Sequence, residues 1–150
     1  MLVYLKGDAT HPVAGKNKII VHICNDRGAW GKGFVLAISK RWSAPKKRFD
    51  LGYAAGLNRL GSCRIVQVEE DIWVANIIGQ HGVYKDKWGN APIRYNAIKS
   101  GLEIVYKFAK EKDAILHMPR IGCGLAGGTW DKIEPLLDNN FETYIYDYEG

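Results

Sequence analysis

Two glycine-rich stretches carry the residue types best suited to gripping an anion. Gly122-Cys123-Gly124-Leu125-Ala126-Gly127-Gly128 follows the short apolar run Ile115–Leu116. It precedes helical spacing from Thr129 to Leu137, with Thr129 at the N-cap position. Glycines in such a turn let backbone N–H groups converge without Cβ obstruction. The positive end of a following helix adds to their field, so the loop suits a diphosphate. The second stretch, from Asn25 to Gly33, lies between the apolar run Ile19–Cys24 and helical spacing over Phe34–Trp42. Ligands of α/β proteins gather where such strand ends meet.

The side chains around these turns offer hydrogen bonds and proton transfer. Asn25 ends its strand where it can donate to a sugar hydroxyl. His22, Asp26 and His81 supply imidazole and carboxylate groups for acid–base work. His22 also reads as a satisfied core residue, since it interrupts an otherwise apolar strand, and His81 also reads as a solvated loop histidine. Asp8 follows the alternating run Leu2–Leu5 and either caps its turn or accepts from a ligand's amino group. Gly122–Gly127 formally satisfies G-x-G-x-x-G, with Glu142 where a ribose-binding acid is sought. A dinucleotide domain opens with that motif, however, and too little chain follows here to build its remaining strands.

Positioning these groups requires an α/β scaffold. Pro45 opens a helix to about Leu57, and Arg64–Val68 and Ile72–Ile78 form a hairpin turning at Glu69–Asp71. Pro92 opens a long helix over Ile93–Lys112, and Thr143–Tyr148 is the last strand. The order β, β, α, α, β, β, α, β, α, β implies one domain over residues 1–150, built on a mixed sheet of about six strands between helix layers.

With 150 residues and 47% hydrophobic content, the chain can bury a real core. No apolar run reaches the ~20 residues of a membrane span, so no membrane partner and a cytoplasmic location are expected. Cys24, Cys63 and Cys123 are odd in number and lack metal-ligand spacing, so reduced thiols and no metal are expected. The formal charge of +5 favours an anionic partner. Arg41, Trp42 and Lys46–Arg48 mix charge with an aromatic, as a nucleic-acid surface does, although such a run also reads as a solvated helix face.

Lys6-Gly7-Asp8, the stretch from His22 to Gly33, the stretch from Met118 to Gly128 and the terminal run Thr143–Tyr148 together resemble a macrodomain, with the segments in the family's order. The likeness is to the branch that holds the yeast ADP-ribose 1″-phosphate phosphatase, the terminal ADP-ribose protein glycohydrolase and the macrodomain of the liver-cancer-amplified chromatin remodeller. It implies a three-layer α/β/α sandwich that binds ADP-ribose without a cofactor. By that resemblance Asp8 matches the acceptor for the adenine amino group, and Tyr146 the aromatic packed on adenine. Ile121, Gly122, Cys123, Gly124 and Leu125 match the diphosphate loop. Asn25, Gly31, Lys32 and Gly33 match the elements around the distal ribose.

The sequence also departs from the branch. The glycohydrolase uses a lysine after its fourth strand and an aspartate after the Gly-Cys-Gly-Leu segment, where this chain has Gly79 or Gln80 and Ala126. A covalent lysyl intermediate is therefore not expected. Two functions stay open. One is hydrolysis at C1″ of ADP-ribose 1″-phosphate or of an ADP-ribosylated protein or nucleic acid, with Asn25, Asp26, His22 and His81 as candidate catalytic residues. The other is a non-catalytic reader of ADP-ribose.

Overall fold

In the computed structural model, which describes residues 1–148, the elements run β1 (Leu2–Lys6), β2 (Asn17–Asn25), α1 (Phe34–Arg41), α2 (Ala44–Ala54), β3 (Cys63–Glu69), β4 (Ile72–Gln80), α3 (Tyr95–Lys112), β5 (Ala114–Pro119), α4 (Trp130–Ile133) and β6 (Thr143–Asp147). The sheet order is β1-β6-β5-β2-β4-β3, parallel throughout except for β3 against β4. The expected mixed sheet of six strands and three-layer sandwich are present.

The period-two pattern of the central strands explains the layers. Ile20 and Cys24 of β2, with Val74 and Ile78 of β4, pack against Val35 and Ile38 of α1 and Phe49 of α2. The intervening residues Ile19, Val21, Ala75 and Ile77 face Ile98, Leu102, Val105 and Ala109 of α3. Gly101 allows α3 to lie this close to the sheet, because a Cβ there would stand 2.4 Å from Ile77 Cγ2. No helix among the described residues is long and apolar enough to cross a membrane.

Two helices differ from their expected bounds. The helix expected from Ile93 starts at Tyr95, because the Ile93 and Arg94 N–H groups bond outward to Ala126 O and Gly79 O. Helical spacing over Thr129–Leu137 resolves into the four-residue α4 and a 3-10 turn, Glu134–Leu136, with Pro135 in its first positions. Thr129 occupies the N-cap position but makes no side-chain cap bond. A single helical turn carries little macrodipole, so any anion site here must rest on the loop's own N–H groups.

Candidate functional site

Because five strands run in parallel, the segments after β1, β2, β4, β5 and β6 all emerge at one edge of the sheet. There the loops after β2, β4 and β5 enclose a cleft of about 800 Å³, within the usual range for a small-molecule site. Asn25, Gly31, Lys32 and Gly33 line one wall, Ile121, Gly122, Gly124 and Leu125 the other, and His22 the floor.

The two walls share an arrangement of bare donors. Gly122 has φ +75°, a left-handed conformation open to glycine, and its carbonyl accepts from Gly128 N–H at 2.8 Å. That bond folds the loop so that the N–H groups of Gly122, Gly124, Leu125 and Ala126 take no hydrogen bond among the described residues. The same is true of Gly31, Lys32 and Gly33 across the cleft. Leu125 Cδ1 lies 3.2 Å from where a Gly33 Cβ would sit, so the loops touch over the cleft. Cys123 turns away, with its half-buried Sγ against Ile121 O at 3.5 Å, and it does not line the cleft.

Asn25 organises the β2 loop from within. Its Oδ1 accepts from Arg27 N–H at 2.8 Å and Ala29 N–H at 3.1 Å, and its Nδ2 donates to Ala29 O at 2.6 Å. One amide hydrogen is left to meet a ligand. His22 is 2% exposed and donates from Nε2 to Asn76 Oδ1 at 2.5 Å, while Asn76 Nδ2 donates to Pro45 O. Burial pushes its pKa down to about 4 against the opposing pull of the Asn76 bond. A neutral His22 is a satisfied core residue and has no proton to give near neutral pH.

Asp26 and His81 form a pair. Asp26 Oδ2 accepts from His81 Nδ1 at 2.6 Å, and its Oδ1 accepts from Gly82 N–H at 2.8 Å. Burial acts to raise the Asp26 carboxyl, but these two hydrogen bonds outweigh it and hold the group below the usual carboxylate range. The pair joins the ends of β2 and β4 beside the cleft; neither residue lines it. Of Gly79 and Gln80, Gln80 lines the cleft. Gly79 is shut in, since a Cβ there would stand 2.7 Å from Ile98 and 2.9 Å from Ile23.

Asp8 and Tyr146 stand at the same sheet edge but outside the cleft lining. Asp8 Oδ1 accepts from Thr10 N–H and Thr10 Oγ at 2.9 and 2.7 Å, and Oδ2 takes no hydrogen bond among the described residues. Tyr146 is 3% exposed and offers no open ring face. Its hydroxyl accepts from Val13 N–H at 3.0 Å and donates to His117 Nδ1 at 2.8 Å, while His117 Nε2 donates to Ala14 O.

Sequence reasoning passed over Arg120, Tyr84, Val83 and Phe34, all of which line the cleft. Arg120 is clamped to Asp147 by bonds of 2.7 and 3.1 Å. Its position just before the glycine loop was the available signal. Within the Arg41–Arg48 run, Arg41 bonds to Thr10 O and Glu69, Trp42 Nε1 to Glu69, and Lys46 to Asp50, while Lys47 and Arg48 are exposed.

A macrodomain protein from Streptomyces coelicolor superposes with a TM-score of 0.84. It is 43% identical, with 98% of this chain covering 99% of that one. This chain is a macrodomain. No family model matches it. The chromodomain-helicase-DNA-binding protein 1-like of Danio rerio is 33% identical over 93% of this chain, which spans only 14% of that protein's length and 17% of its Mus musculus counterpart. The ADP-ribose 1″-phosphate phosphatase of Candida albicans is 26% identical, with 97% of this chain covering 99% of that one.

Proposed function

We propose that this macrodomain binds ADP-ribose along the cleft and hydrolyses a derivative of it at C1″. The carrying observation is the convergence of two loops with uncommitted backbone N–H groups on a single cleft, which suits a diphosphate. In this reading Gly122, Gly124 and Leu125 donate to the diphosphate and Asn25 to the distal ribose, and Asp8 Oδ2 accepts from the adenine amino group. The phosphatase named among the relatives supports the same ligand class. Hydrolysis adds a water oxygen to C1″ and breaks its bond to the leaving phosphate or acceptor, which departs with one of the water's protons.

His81 is the group assigned to that proton. Asp26 fixes its Nδ1–H, so Nε2 holds the lone pair, and it directly follows the cleft-lining Gln80. His81→Ala is expected to lower turnover of ADP-ribose 1″-phosphate by about 100-fold with the calorimetric affinity for ADP-ribose unchanged. Undiminished turnover in that variant removes the role. The position of the Asp26–His81 pair outside the cleft lining favours a second reading, a non-catalytic reader. The reader predicts ADP-ribose binding well above AMP binding, with no turnover of the 1″-phosphate or of ADP-ribosylated protein or nucleic acid.

A further inference from the structure

A second cavity lies on the reverse of the glycine loop. It measures about 530 Å³ and is lined by Asn90 and Ala91 of the loop between β4 and α3, Arg94 and Tyr95 at the start of α3, Gly127, and Lys132 of α4. Gly122, Gly124 and Leu125 of the same glycine loop face the cleft, so one loop separates two cavities. Contacts distant in sequence build the walls. Ile93 N–H donates to Ala126 O at 3.0 Å, a Gly127 Cβ would stand 2.8 Å from Ala91 Cβ, and the Tyr95 hydroxyl accepts from Thr129 N–H at 3.2 Å.

Two cations line this cavity, and no carboxylate lines it with them. The Arg94 side chain is half-buried and held in place, because Nη1 donates to the carbonyls of Ala91, Pro92 and Ile93 at 2.8, 3.0 and 2.9 Å. Its Nε and Nη2 groups take no hydrogen bond, and it forms no ion pair, among the described residues. The exposed Lys132 ammonium likewise has no ion pair among them and stands 5.9 Å from the Tyr95 ring centroid. By contrast Lys18, Arg41, Lys46 and Arg120 each sit against a carboxylate. Asp86 is near enough for the Arg94 charge to act on it, yet both its oxygens are bonded within its own loop. Asp131 bears on Cys123, which lines neither cavity. Holding a guanidinium partly out of water costs free energy that an anion in the cavity would offset. A carboxylate answers one of the two cations. A phosphate group has oxygens enough for the Arg94 fork and the Lys132 ammonium together. A concave space of this size suits a small ligand. We infer that the cavity is a second anion site, which takes the phosphate group of a small molecule between Arg94 and Lys132 with the Tyr95 ring beside it. The site is separate from the proposed ADP-ribose cleft and does not depend on it.

The test titrates inorganic phosphate and phenyl phosphate into the isotope-labelled full chain, first free and then saturated with ADP-ribose, and follows the backbone amide signals by NMR. Saturable shifts are expected at Tyr95, Gly127 and Lys132 in both states, because ADP-ribose fills only the cleft. Tighter binding of phenyl phosphate identifies a monoester whose body lies on Tyr95, and equal binding identifies free phosphate; either result supports the site. Lys132→Glu is expected to weaken phosphate at these signals about tenfold. Lys107→Glu, which changes an exposed α3 lysine outside the cavity, is expected to leave it unchanged. Shifts confined to Gly122–Leu125, shifts that do not saturate, equal losses in the two lysine variants, or acetate binding as well as phosphate each overturn the inference. If ADP-ribose does not bind, the free-chain titration decides alone, so this inference and the cleft reading fail separately.

Discussion

Tyr146 is the residue whose role the structure changes most. The resemblance assigns its ring to a purine, yet the ring is covered and the hydroxyl ties Val13 and His117 together. Those bonds strap the segment carrying Asp8 onto β5 and β6. The two roles separate in Tyr146→Phe, which keeps the ring and removes the hydroxyl. The strap predicts a stability loss of about 1–3 kcal/mol, because a buried imidazole nitrogen and a part-buried amide lose their partner. It also predicts weaker ADP-ribose binding, through a loosened Asp8. Urea denaturation and calorimetry on the same variant check both. Wild-type affinity would instead assign the residue's contribution to its ring.

At the scale of elements, the strands were legible because each is a compact apolar run bounded by polar or glycine residues. Every one of the six was found within a few residues of its expected bounds. The continuous apolar run of β2 announced a strand covered on both faces, and it has helices on each side. What was hidden depends on contacts distant in sequence. The start of α3 is set by Gly79 and Ala126, and the cleft-facing side chains of Arg120 and Tyr84 are set by neighbouring loops. The glycine turns were legible as turns, but only folding shows which N–H groups stay uncommitted. Gly124 lacks positive φ and a Cβ there meets nothing within 4 Å, so Gly124→Ala tests the loop without disturbing the fold. Its stability change is expected to stay within about 0.5 kcal/mol, while the methyl, placed on the cleft wall, weakens ADP-ribose roughly tenfold. Unaltered affinity with unaltered stability would show that the diphosphate does not approach this loop.

Across the whole molecule, the parallel sheet sends five strand ends to one edge, and the sheet face opposite α3 buries two histidines. His22 sits on the α1 and α2 side, bonded to Asn76, and His117 lies under the segment that carries Ala14. Burial lowers both imidazoles to about 4, outweighing the Asn76 bond for His22 and the Ala14 bond for His117. An unfolded histidine titrates near 6.5, so above that pH both states are neutral and stability is at its plateau. Between about 6.5 and 4 the unfolded chain takes up protons that the folded chain refuses, and stability falls by about 1.4 kcal/mol per pH unit for each histidine. Over the full interval that is about 3 kcal/mol each. Asp26, whose carboxyl is depressed, loses its contribution only at lower pH, as protonation proceeds through the carboxylate range. Urea midpoints measured from pH 7.5 to 4.5 are therefore expected to drop steeply below pH 6.5. In His117→Gln, whose amide can still donate to Ala14 O, the slope is expected to fall to about half, since one titrating group remains. A flat profile down to pH 5 in the wild-type chain would mean that one or both imidazoles take up protons while folded, and the neutral core assigned to them would be wrong.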